Sequence, residues 1–83
     1  MVGTTAWNPG TVNTGTSVVN TFAVSGAALG DDFEGSFNQD LQGCILDLNV
    51  QSAGNVTATI TNLTGGNKTI SNGTLRYRGM KGL

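Results

Sequence analysis

Apolar and polar residues alternate with a period of two in five successive segments of this chain. From Ser17 to Ser25, Val18, Phe22 and Val24 share one face with Asn20, while Val19, Thr21 and Ala23 take the other. Asp32 to Asn38 puts Phe33, Gly35 and Phe37 opposite Glu34 and Ser36. Cys44, Leu46, Leu48 and Val50 form the clearest apolar stripe, set against Asp47, Asn49 and Gln51. Val56, Ala58 and Ile60 alternate with Thr57, Thr59 and Thr61, and Leu75 and Tyr77 with Thr74, Arg76 and Arg78. Alternation places neighbouring side chains on opposite faces of a strand, whereas a helix needs a repeat near 3.6. Strand signals about ten residues apart are the spacing of a sandwich or barrel.

The joints between these segments are equally legible. Gly26 to Asp31 is a long connection in which Ala27-Ala28-Leu29 has room for a single helical turn. Gln39 to Gly43 reads as a turn closed by a glycine free to take positive φ. Ser52-Ala53-Gly54-Asn55 and Thr64-Gly65-Gly66-Asn67 read as short loops, the second followed by a weak strand at Lys68 to Ile70. Asn72-Gly73 is a tight-turn dipeptide. Sequential turns joining sequential strands predict antiparallel pairing. Residues 1–15 differ, with the only Trp and the only Pro in the turn Trp7-Asn8-Pro9-Gly10. They are expected to form an N-terminal arm, with Trp7 plugging its own core or reaching a neighbour. The expected fold is all-β: a small antiparallel β-sandwich or partly closed barrel over residues 16–83, with the extended N-terminal arm over 1–15.

Composition adds exclusions. A chain of 83 residues has a thin stability margin. Its single cysteine and lack of histidine allow neither an internal disulfide nor a zinc cluster. Oligomerisation or docking on a larger surface is then the expected source of extra stability. Formal net charge is −1, with no basic stripe to suggest a nucleic-acid partner. No apolar run approaches the ~20 residues that cross a membrane, and no leader is visible at the first residues. The chain reads as soluble and made in a cytoplasm, with Cys44 a buried reduced thiol.

Few residues offer chemistry. Asp31, Asp32 and Glu34 lack the ordered spacing of a calcium loop and read as a solvated acidic edge. Asp40 and Asp47 are separate acids, one in a turn and one on a polar strand face. Abundant Ser and Thr have no histidine to activate them. Arg76 and Arg78 point the same way from the last strand and suit the carboxylates of a partner, or keep an edge soluble. Lys68 and Lys81 add no patterned basic surface. Four Asn-X-Ser/Thr triplets begin at Asn55, Asn62, Asn67 and Asn72, as expected by chance in so Asn- and Thr-rich a chain. Trp7 and Tyr77 are the only aromatic platforms left for a sugar. No catalytic, cofactor-binding or metal-binding residue is assigned.

Particular strings carry more than composition. Trp7-Asn8-Pro9-Gly10-Thr11-Val12, Gly26 to Asp31, Ser36 to Gly43, Asn55 to Ile60, Asn62 to Gly66 and Ser71 to Arg78 follow one another in order. Together, across about Trp7 to Arg78, they resemble a family of small proteins of tailed bacteriophages. The resemblance implies a β-rich virion component, a capsid decoration or cement protein outside an icosahedral head. Its partners would be the major capsid protein and, as a homotrimer, itself; no catalytic residue comes with it. Asp32 and Glu34 stand where that pattern leads one to expect apolar residues. The expected contact residues are Trp7 and Val12 in the arm, Leu41 in its turn, and Arg76 and Arg78. A head or tail fibre module and a small carbohydrate-binding module remain open, the latter requiring Trp7 and Tyr77 to be exposed together. A hydrolase is the remotest reading, since no ordinary base titrates near neutrality.

Overall fold

Every alternating segment forms a strand in the computed structural model, which describes residues 1–82. In chain order the strands are β1 (Val2–Trp7), β2 (Gly10–Val12), β3 (Ser17–Ala23), β4 (Asp32–Phe37), β5 (Ile45–Ser52), β6 (Asn55–Thr61), β7 (Lys68–Ile70) and β8 (Gly73–Met80). Strands make up 59% of the structure, and no helix occurs among the described residues. They form three antiparallel sheets, ordered β1-β8-β4, β2-β7 and β3-β6-β5, and none closes into a barrel.

One pattern organises the pairing. Strands β1, β2 and β3 run antiparallel to β8, β7 and β6, the first strand with the last and so inward. Partner numbers sum to 80 in both β1/β8 (Val2 with Arg78) and β2/β7 (Gly10 with Ile70), and to 78 in β3/β6 (Ser17 with Thr61). The chain therefore makes one long two-stranded ribbon whose register slips by two residues before β3. A third strand is added at each end, β4 beside β8 and β5 beside β6. Only β5 and β6 are sequential neighbours joined by a tight hairpin. Gly54 sits at its tip with φ +80°, in the region glycine enters without a Cβ penalty. Gly54 also accepts the Val24 N–H and donates to the Ala27 carbonyl, tying the tip to the connection after β3.

One expectation changes. Asn72-Gly73 does not join neighbours within a sheet, because β7 and β8 lie in different sheets and these residues carry the chain from one to the other. The segment 1–15 is extended, and its strands are built into the sheets, β1 paired with β8 and β2 with β7, with Trp7 in its own core.

The apolar stripes converge between the sheets. Trp7, Val12, Leu48, Val50, Val56, Ala58, Ile60, Ile70 and Leu75 are buried together, with Phe22, Phe33, Phe37 and Tyr77 packed against them. Phe22 of β3 meets Tyr77 of β8 at 5.0 Å between ring centroids, so the inward faces of the two three-stranded sheets touch. Trp7 meets Phe37 edge-on at 5.9 Å, an arrangement aromatic quadrupoles favour. Each fully buried aliphatic, such as Ile60 or Leu75, contributes roughly 1.5–3 kcal/mol.

The break in the ribbon is held by one buried polar side chain. Asn62 is 0% exposed, and all its hydrogen-bonding groups find partners. Its Nδ2 donates to the carbonyls of Val12 (2.8 Å) and Gly66 (2.9 Å), and its Oδ1 accepts the N–H (2.8 Å) and hydroxyl (2.6 Å) of Thr64. Its own N–H donates to Thr16 O, and its carbonyl accepts from Gly15 N–H. One asparagine thus joins the end of β2, the approach to β3 and the 62–66 loop. Replacing it with alanine orphans buried backbone groups, each costing about 1–3 kcal/mol. Asn62→Ala is expected to lose roughly 3 kcal/mol and to lower the thermal midpoint by more than ~10 °C, read by circular dichroism.

On the inward face of β1-β8-β4, glycines make room for aromatic rings. Gly3 lies opposite Tyr77 and Gly79 opposite Phe33. A Cβ on Gly3 would come within 2.8 Å of Tyr77 Cζ, and one on Gly79 within 2.7 Å of Phe33 Cε1. Both rings occupy the space over bare backbone, an arrangement that pins register between strands. Gly79→Ala should therefore destabilise by ~1–3 kcal/mol, the usual cost of overpacking. Gly65→Ala, which meets nothing within 4 Å, should stay within ~0.5 kcal/mol; urea unfolding compares the two.

Candidate functional site

Of the five residues expected at a contact surface, only two face solvent. Trp7 is 7% exposed and Val12 is 0% exposed, so neither presents a surface to a partner. Leu41 is half-buried against the core and accepts the Cys44 N–H across a turn. Gln42 (φ +53°) and Gly43 (φ +91°) bend that turn, while Asp40 Oδ1 accepts the Gln42 N–H. Arg76 and Arg78 stand exposed on the outer face of β8, as their spacing of two dictates. Tyr77 lies between them on the opposite face, its ring turned towards Phe22 and Phe33. Neither candidate sugar platform is therefore an exposed ring.

Arg76 and Arg78 line a trough of about 540 Å³ over the outer face of β1-β8-β4. The antiparallel register sets its residues in ranks. Arg78 lies between Val2 and Glu34, and Arg76 between Thr4 and Ser36. Arg78 donates from Nε to Glu34 in an exposed ion pair, so its charge is locally balanced. Among the described residues, no carboxylate lies within salt-bridge distance of Arg76. A smaller hollow of about 180 Å³ continues past Arg76, lined by Thr74 and Asn38. Asn38 Oδ1 there accepts the Thr74 N–H at 2.8 Å. Sequence reading identified the two arginines but missed Thr4, Ser36 and Asn38. Only the β1-β8-β4 strand order, which crosses the sequence, brings these three beside Arg76.

The acidic residues are separated into different jobs. Asp31 closes the connection after β3: its Oδ2 accepts from Ala28 N–H and Lys81 Nζ, and its Oδ1 from Gly82 N–H, each at 2.9 Å. Lys81 Nζ also donates to Gly26 O. The Gly82 N–H, the Lys81 ammonium and the Ala28 N–H hold the Asp31 carboxyl down at about 2. Glu34 is taken by Arg78, and no cluster able to hold a metal ion occurs among the described residues. Cys44 is buried and unpaired, as expected. Asn62 and Thr64, one of the four triplets, are consumed by the buried network. No helix among the described residues is long and apolar enough to cross a membrane.

No family model, curated protein or solved structure matches this chain.

The Asp31 clamp sets a pH dependence with a definite sign. Its carboxyl is easier to ionise folded than unfolded, so the stabilisation is complete above about pH 4 and is lost as pH falls through about 2. Asp31→Asn should lower the urea midpoint at pH 7. The gap between variant and parent should close between about pH 4 and 2.

Proposed function

We propose that this chain is a structural virion protein of a tailed bacteriophage. In this reading it is a decoration or cement protein bound outside the head at capsomer junctions, acting through contact and not through chemistry. The ordered strings between Trp7 and Arg78 support the class of protein. The observation that carries the mechanism is the outer face of β1-β8-β4, where Arg76 is exposed without a carboxylate partner on a sheet braced from behind by ring-over-glycine pairs. The two three-stranded sheets are then the layers of a small sandwich, one layer turned to the capsid. A guanidinium held on a strand loses less freedom on binding than one on a loop, which makes it a good anchor for carboxylates.

A single face of three short strands makes a modest contact. Three copies joined as a homotrimer convert modest contacts into strong attachment through effective concentration. With Trp7 and Val12 committed to the interior, the contact set becomes Arg76, Arg78 and the turn at Leu41. The elongated envelope, 38 × 21 × 15 Å, also suits a head or tail fibre module, the alternative reading. A carbohydrate-binding module has less support, since the rings of Trp7 and Tyr77 both turn inward.

Averaged images of purified particles decide between these. Density for this chain at three-fold or quasi-three-fold capsomer junctions is the expected result, and light scattering should give three times the subunit mass. Density confined to the tail would reject the cement reading in favour of a fibre module. Arg76→Glu with Arg78→Glu should strip the protein from heads while leaving its circular dichroism unchanged.

A further inference from the structure

The trough over β8 has many hydrogen-bond donors and one unbalanced charge. Arg76 offers five N–H groups in a planar fork, and the register places a hydroxyl on either side, Thr4 and Ser36. Asn38 has its oxygen occupied by the Thr74 N–H, which leaves its amide hydrogens for another acceptor. The one carboxylate lining the trough, Glu34, already holds Arg78. A site built this way favours an anion with two oxygens. We propose that the trough docks an extended, acidic peptide segment of a partner protein, with one carboxylate of that segment gripped by the Arg76 guanidinium. This rests on the reading of the chain as a docking protein and names the chemistry of what it docks on.

Charge and shape select this occupant over others. From the rank of Arg78 to that of Thr74 is four residues of β8, about 13 Å, the length of roughly four extended residues. Nucleic acid needs several phosphates neutralised together, and here a single guanidinium is unbalanced. A sugar acid gains most where a ring lies on an aromatic face, and Tyr77, the one aromatic residue at this trough, turns its ring towards Phe22 and Phe33 on the opposite face. An extended peptide presents a side chain towards the trough at every second residue, the same spacing as the ranks beneath it.

The test uses the whole protein and four probes. ¹⁵N-labelled protein is titrated with the capped peptide Thr-Asp-Thr-Asp-Thr, its Asn counterpart, sodium acetate and trigalacturonate. Expected are shifts confined to the trough, at Thr4, Ser36, Asn38, Thr74, Arg76 and Arg78, with the acidic peptide, and at least ~10-fold weaker binding of the Asn peptide. Arg76→Gln should abolish the shifts while leaving the remaining spectrum in place. Glu34→Gln should tighten binding by ~2-fold or more, because it frees Arg78; a gain of this kind cannot come from misfolding. Shifts elsewhere, no shifts, or shifts that survive Arg76→Gln overturn the proposal. Acetate binding as tightly as the peptide would make the trough a small-anion site, and tighter trigalacturonate binding a sugar-acid site; either overturns it. Peptide binding with heads left bare refutes only the virion reading. Decorated heads with no peptide binding refute only the trough.

Discussion

Asn62 holds three parts of the chain at once, and the architecture depends on it. The ribbon of β1-β2-β3 against β8-β7-β6 slips by two residues where it passes from one sheet to the next. Such a slip leaves backbone groups without ladder partners, and here they lie in the interior beside Val12 and Ile70. A buried carbonyl without a donor destabilises by more than most single contacts stabilise. The asparagine side chain has one acceptor and two donors, which suits a place where two carbonyls and one loop must be satisfied together. Around it, Thr14 N–H donates to Asn67 and the Thr14 hydroxyl to Thr64, so the opposing loops close on each other. The sheets can turn inward on one another because, among the described residues, no buried side-chain polar atom is left without a partner.

A second constraint acts through emptiness. Gly3 and Gly79 contribute no side chain to the inward face of β1-β8-β4, and the rings of Tyr77 and Phe33 fill the space. Two large rings over glycine give a short chain more covered apolar area than its modest aliphatic content suggests. The same arrangement keeps the sheet from sliding, since a slip of one residue would turn the inward set to the outer face and a slip of two would set Phe33 against Tyr77. The outer face inherits that rigidity, and with it the fixed spacing of Arg76 and Arg78.

Strand identity was legible because alternation is a local property. Val56-Thr57-Ala58-Thr59-Ile60 could be assigned to a half-buried strand without reference to any neighbour. Loop closure was legible where a residue type has a backbone reason, as at Gly43 and Gly54. β1 was missed because two of its three inward positions, Gly3 and Thr5, carry no apolar signal, which leaves Trp7 alone to mark the strand. The role of Trp7 was left open between core and neighbour, and Phe37, thirty residues on, is what encloses it. At the candidate site the arginines were visible from their spacing. Their companions were not, since Thr4, Ser36 and Asn38 are ordinary polar residues that acquire meaning only from strand order. Asn62 looked like one half of a common triplet, and nothing near it in the chain signals burial.

Because the first strand is zipped to the last, the nested ribbon sets the order in which the molecule is completed. The β5–β6 hairpin is the one sheet element whose two halves are close in sequence, so it is available as a nucleus while translation continues. Every other pairing waits for residues made much later, with β1 idle until the final strand appears. A nascent copy interrupted before β7 would leave both β1 and β2, and with them Trp7 and Val12, without their partner strands and able to adhere to whatever lies nearby.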